Sequence, residues 1–166
     1  MAVTTYWEDL RPGTVRELGT TSVSAEQIKE FAAQYDPQPF HLDEEAGRRS
    51  LFGGLCASGW QTCALAMRLT VDHMLRDSSS LGSPGLESLK WLKPVFPGDR
   101  LSLRHTILES RALRKRPDTG MVRSRWEMFN QDGDKVLEMD GYGFFGRRQP
   151  ASEEELARMD AQRAAA

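Results

Sequence analysis

Asp36-Pro37-Gln38-Pro39-Phe40-His41-Leu42-Asp43 is followed soon afterwards by Gly53-Gly54-Leu55-Cys56-Ala57-Ser58-Gly59, which opens a long apolar run. Pro37 and Pro39 fix their own φ, and each pushes the residue before it away from the helical region. Residues 36–40 are therefore expected to be extended, with Asp36 unable to continue a preceding helix. A carboxylate and an imidazole on so stiff a loop are placed to grip one water molecule, as general acid–base chemistry requires. A glycine at the start of the following helix offers a bare N–H to a developing oxyanion. Taken singly, Asp36, His41 and Gly59 each suit a structural role, since Asp before Pro is an ordinary helix stop. Their order and spacing point instead to addition or removal of water beside a carbonyl.

Working outward, the helix beginning near Ser58 is expected to run to Arg76. Trp60, Cys63, Ala64, Met67, Val71, Met74 and Leu75 follow a 3.6-residue period, and Arg68, Asp72 and Arg76 form an opposing stripe. Leu65, Ala66 and Leu69 widen the apolar face so far that the helix is expected to be enclosed by other structure. Cys56 and Cys63, seven apart, fall on one face of this run about two turns apart, too far to bridge. Reduced thiols, and an N-terminus without an apolar stretch, suggest a cytoplasmic protein.

Upstream, Thr14 to Val23 reads as a strand. Ser24 with Gln27 forms a capping box for a helix whose stripe is Ile28, Phe31 and Ala32, ending at Tyr35 or Asp36. His41 to Arg49 reads as a short helical turn, acidic at its start and basic at its end. Ser78 to Gly85 reads as a Ser/Gly/Pro loop. Beyond it the chain is strand to Arg148: Leu101, Leu103, His105 and Ile107 alternate with polar residues, as do Val122, Ser124, Trp126 and Met128. Asn130 to Asp134 signals a hairpin, and Asp118-Thr119-Gly120 another turn. The glycines at 141 and 143 suggest close approach by another backbone. A polar, alanine-rich helix or tail is expected over residues 151–166, after a single domain over 1–150.

The chain has 166 residues, 39% hydrophobic and 28% charged, enough for one globular domain with a substantial core. A net charge of −2 argues against nucleic acid or an anionic membrane as the main partner. No stretch reaches the roughly 20 apolar residues of a membrane span. Arg111, Arg114, Lys115, Arg116, Arg147 and Arg148 read as solvated arginines and lysine, with contacts to a phosphate-bearing cofactor tail as the lesser reading. No metal-ligand spacing occurs.

Residues 36–43 resemble the Asp-x-Asn-Pro-x-His-x-Asp motif of MaoC-like (R)-specific enoyl-CoA hydratases. Ala57-Ser58-Gly59-Trp60 stands where that family has its helix-opening glycine. Lys93-Pro94-Val95-Phe96-Pro97-Gly98-Asp99 resembles the family's Lys-Pro-Val-x-x-Gly-Asp stretch. The match in element order spans about residues 8 to 148. It implies an α+β hot-dog fold, a curved antiparallel sheet wrapped around a long central helix, and a homodimer or a multiple of one. An open, bent sheet points the same way, because its unpaired edge is economically covered by a second copy.

The resemblance further implies that Asp36 and His41 activate water while the Gly59 N–H holds a thioester oxygen. Gln38, Ser58 and Trp60 would contact a substrate carried on coenzyme A or acyl carrier protein. No cofactor beyond coenzyme A, as part of the substrate, is implied. Gln38 stands in place of the family's Asn, and Ser58 where the hydratases often have His, two departures that bear on acyl preference. Two further readings remain: a thioesterase on the same fold, which would release free coenzyme A, and a non-catalytic acyl-CoA-binding module, which would show no turnover.

Overall fold

The structure is a computed structural model and describes residues 2–164. After a single 3-10 turn at Trp7–Asp9, strand β1 (Val15–Ser22) leads into helix α1 (Ala25–Tyr35). Two short helices follow, α2 (Pro39–Leu42) and α3 (Glu44–Arg49), and then the central helix α4 (Gly59–Thr70). Strands β2 (Ser80–Trp91), β3 (Arg100–Leu113), β4 (Arg116–Phe129) and β5 (Lys135–Gly146) precede a terminal helix, α5 (Glu153–Ala164). The strands form one antiparallel sheet in the order β1-β3-β4-β5-β2. This is the α+β hot-dog arrangement expected from the sequence, with the sheet curled about α4. No helix among the described residues is long and apolar enough to cross a membrane.

Local signals account for much of this. The Ser24 hydroxyl accepts from the Gln27 N–H while the Gln27 side chain accepts from the Ser24 N–H, so both ends of the capping box are made. Leu101, Leu103, His105 and Ile107 all turn inward from β3, joining Val122 and Met128 of β4 and Val136 and Leu137 of β5. Residues 130–134 form the β4–β5 turn, where the Asn130 side chain accepts from the N–H groups of Asp132 and Asp134. The last helical turn, Val71–Leu75, widens to π geometry, with Arg76 N–H reaching Val71 C=O at 3.0 Å.

Several expectations fail, each for a physical reason. Residues 78–85 are not a loop: β2 starts at Ser80 and pairs with β5 through irregular register, Gly82 and Gly85 taking positive φ where the ladder shifts. An edge strand tolerates Pro84, because only one side of it is hydrogen bonded. Residues 118–120 lie within β4 rather than in a turn, and the reversal falls at Arg114 and Lys115. Gly120 is small because Trp7 lies on it; a Cβ there would stand 2.1 Å from the Trp7 ring. Gly141 does admit close approach: a Cβ would meet Leu86 at 2.6 Å and the Gly85 carbonyl at 3.2 Å.

The clustered arginines are not simply solvated. Arg114 pairs with Asp160 on α5, Arg116 with Asp118, Arg147 with Glu155, and Arg148 with Asp9. The pairs of Arg114 and Arg147 tie α5 back to the domain. Cys56 lies upstream of α4, so the two cysteines do not share a helix face, and both thiols are free.

His105 is the unusual member of the core. It is fully buried, neither ring nitrogen has a hydrogen-bond partner among the described residues, and its ring lies 5.2 Å from that of Trp126. Burial, aided by the charge of Arg16, pushes its pKa down to about 4. The folded protein therefore keeps His105 neutral, whereas the unfolded chain takes up a proton as pH falls through the ordinary histidine range. Stability should be fully present above about pH 6.5 and decline from there towards pH 4. Replacing His105 by Leu should remove up to one proton from the pH slope of the unfolding free energy in that window. Denaturant titrations at pH 7, 6 and 5 measure this, and an unchanged slope would show that His105 is not responsible.

Candidate functional site

Asp36 ends α1, with its backbone (φ −152°, ψ 67°) out of the helical region as Pro37 demands. The extended stretch is shorter than expected. Gln38 is extended, but Pro39 occupies the first position of α2, where a missing N–H costs nothing, and Phe40 and His41 are helical. The anticipated helix over 41–49 is broken at Asp43, whose side chain caps α3 by accepting from the Ala46 N–H at 2.8 Å. His41 is thus a buried residue on a helical turn rather than on a free loop.

The Asp36 carboxylate is held on both oxygens. Gln38 Nε2 donates to Oδ1 at 2.7 Å, and the Ser58 hydroxyl donates to Oδ2 at 2.7 Å. The longer glutamine side chain thus folds back onto the carboxylate of its own loop. His41 Nε2 stands 3.4 Å from Oδ2. On the far side of the ring, Nδ1 lies 2.7 Å from the Cys56 carbonyl oxygen. A carbonyl cannot donate, so Nδ1 carries a proton, leaving Nε2 to face the carboxylate. Burial works to raise the pKa of Asp36, but the hydrogen bonds from Ser58 and Gln38, with the charge of His41, outweigh it and hold the carboxyl below its ordinary value. Asp36 is therefore ionised at neutral pH.

Ser58 is the N-cap of α4. Its hydroxyl accepts from the Trp60 N–H at 3.3 Å while donating to Asp36. It is completely buried and forms no part of the pocket wall, so its hydroxyl faces the carboxylate where a substrate contact was expected. That hydroxyl bond joins residues far apart in sequence, and only the cap preference of serine hinted at it. Gly59 follows as the first helical residue, and no hydrogen bond among the described residues uses its N–H.

Asp36, Gln38, His41, Gly59 and Trp60 line one pocket of about 410 Å³. Phe40 and Phe52 form one wall, with Phe40 edge-on to the His41 ring at 4.5 Å. Trp91, Pro94 and Val95 form another, which brings in the Lys93-Pro94-Val95 stretch. Trp91 was not anticipated. Its indole packs on Gly59 so closely that a Cβ there would lie 2.5 Å from its Cε2. Trp60 and Trp91 meet edge to face at 5.2 Å.

Beyond them lies a second cavity of about 450 Å³ between α4 and the β2–β5 side of the sheet, walled by Cys63, Met67, Leu86, Leu89 and Met139 among others. The helix is not fully enclosed within one chain. Gln61, Thr62, Ala66, Leu69 and Thr70 are buried, but Trp60, Met67 and Val71 are exposed.

Comparison with known proteins identifies the family. Residues 9–125 match the description of a MaoC like domain. The chain is 39% identical to a MaoC-like dehydratase from Rhodospirillum rubrum, with a TM-score of 0.79 over 88% of this chain and 99% of that one. It is 30% identical over 126 residues to the uncharacterized protein YdeM of Bacillus subtilis, covering 76% of this chain and 88% of YdeM. The R-hydratase PhaJ1 of Pseudomonas aeruginosa shares the fold at a TM-score of 0.68 and 24% identity, over 89% of this chain and 86% of that one. The chain belongs to the MaoC-like dehydratase family.

Proposed function

We propose that the protein interconverts trans-2-enoyl and (R)-3-hydroxyacyl thioesters carried on coenzyme A. The observation that carries this reading is the convergence of an ionised Asp36 and the Nε2 of His41 within 3.4 Å, beside the unused N–H of Gly59, in one pocket. Adding water across a conjugated thioester needs a base for the water that attacks Cβ and an acid for Cα on the same face. In the reactive form the pair shares one proton, on Nε2. Asp36 takes a proton from water as its oxygen bonds to Cβ, and Nε2–H protonates Cα. The proton on Asp36 then returns to Nε2 across the short gap.

The enolate formed on the way carries its charge on the thioester oxygen. A fixed N–H at the head of α4 gains strength as that charge grows, which lowers the barrier. Removing one such donor in other enzymes costs about 2.7–4 kcal/mol. Gln38 and Ser58 act through Asp36, holding it ionised and aimed, while Trp60 and Phe52 offer apolar contact to the acyl group. The free thiols of Cys56 and Cys63 support the cytoplasm as the place of action.

The exposed apolar residues of α4 and of the β2 edge, Met67, Val71, Leu81 and Leu86, support a homodimer. A second copy laid across them would cover both the strand edge and the open side of the larger cavity. At micromolar concentration, light scattering should report twice the 18.7 kDa chain mass or a multiple of it, and a monomer alone would refute the dimer.

Incubation with a trans-2-enoyl-CoA should yield a 3-hydroxyacyl-CoA without free coenzyme A. Asp36→Asn should lower kcat by at least about a hundredfold. Full hydration by that variant, or release of free coenzyme A by the parent, would refute the mechanism. Ser58→Ala removes a donor that favours the charged carboxylate, so the pKa of Asp36 should rise. The acid limb of the kcat/KM profile should accordingly move to higher pH in this variant. A limb that stays in place while kcat falls uniformly would show that Ser58 serves the helix cap alone.

A further inference from the structure

Trp91 is the last residue of β2, one of the sheet's two edge strands, and its indole stands between residues that line two different cavities. On one side it lies against Gly59 and Trp60 in the catalytic pocket. On the other it reaches the sulfur of Cys63, which lines the larger apolar cavity. Trp60 lines both. The two indoles, edge to face, therefore form a partition between the pocket that holds Asp36 and His41 and the cavity along α4.

We propose that Trp91 determines which acyl chains the enzyme accepts, by closing the passage from the Asp36–His41 pocket to the cavity along α4. The inference rests on reading the first pocket as a thioester site. With the indole on Gly59, only a short acyl group fits beside the catalytic pair. A longer chain must displace the ring to lie between α4 and the sheet.

The ring stands at the very end of its strand, Trp91 being the last residue of β2. Its side chain can therefore rotate outward without breaking the ladder with Leu137. The cavity behind has the size of an ordinary ligand pocket and walls of Met67, Met74, Leu86, Leu89, Met139 and Phe145, which suit an alkyl chain. Methionines there accommodate chains of different shape.

The parent enzyme, Trp91→Ala and Trp91→Phe are compared on trans-2-enoyl-CoAs of four, six and eight carbons. Each methylene that gains access to an apolar wall is worth about fourfold in kcat/KM, the factor corresponding to about 0.8 kcal/mol. Trp91→Ala should therefore raise the eight-carbon to four-carbon ratio of kcat/KM at least tenfold, with Trp91→Phe between it and the parent. A common change on all three substrates, or a falling ratio, overturns the proposal. Trp91→Phe keeps an aromatic ring on Gly59 and carries the test if the alanine variant does not fold.

Calorimetric binding of butanoyl- and octanoyl-CoA to the same proteins separates this inference from the reaction itself. A shift in binding preference towards octanoyl-CoA without turnover by any form would sustain the partition and refute the hydratase reading. Turnover with no change of preference in either assay would do the reverse.

Discussion

The Ser58 hydroxyl is the bond on which the site depends. It is fully buried, accepts the Trp60 N–H at the head of α4, and donates to the Asp36 carboxylate. One oxygen thus terminates the central helix and fixes the reactive loop to it. Remove the hydroxyl and two groups lose a partner at once: a helix-end donor and one oxygen of a partly buried carboxylate. Leaving such groups unpaired costs more than the bond itself contributes. Gln38 repeats the arrangement on the other carboxylate oxygen, so the orientation of Asp36 is set by two donors from different parts of the chain.

The same helix shapes everything around the site because its apolar surface exceeds what one sheet can cover. The buried face lies closest to β1 and joins the core with residues of β3, β4 and β5, while Trp60, Met67 and Val71 remain outside. That surplus creates the long cavity, and with β2 it leaves a continuous apolar margin at the edge of the sheet. A narrower stripe would have given a tighter monomer with no room along α4. The space beside the helix and its incomplete burial are therefore one property seen twice.

Much of this was legible in local pattern. The capping box at Ser24, the inward alternation of Leu101 to Ile107 and the hairpin at Asn130 follow from short-range chemistry, and so does the pairing of Asp36 with His41 across two prolines. What escaped was decided at long range. Gly120 reads as a turn residue until Trp7, far away in sequence, is seen lying on it. Ser80 to Gly85 has loop composition yet is strand, because β5 supplies a ladder that tolerates bulges and an unpaired side. Cys56 follows the helical spacing of Cys63 but sits before the cap, where its carbonyl serves His41. Nothing local in Trp91 announces that it will cover Gly59.

Gly59 shows how closely these demands are joined. No hydrogen bond among the described residues uses its N–H, while Ser58 caps the next residue, and its missing side chain makes room for the Trp91 ring. The glycine is thus required twice, once for what it can donate and once for what it must not contain. An alanine there would strike the indole before any substrate arrived, so loss of activity on that change would not by itself separate an oxyanion donor from a packing site. The distinction lies with Trp91: once the ring is removed, the space over residue 59 is open. What residue 59 then tolerates is governed by the thioester alone.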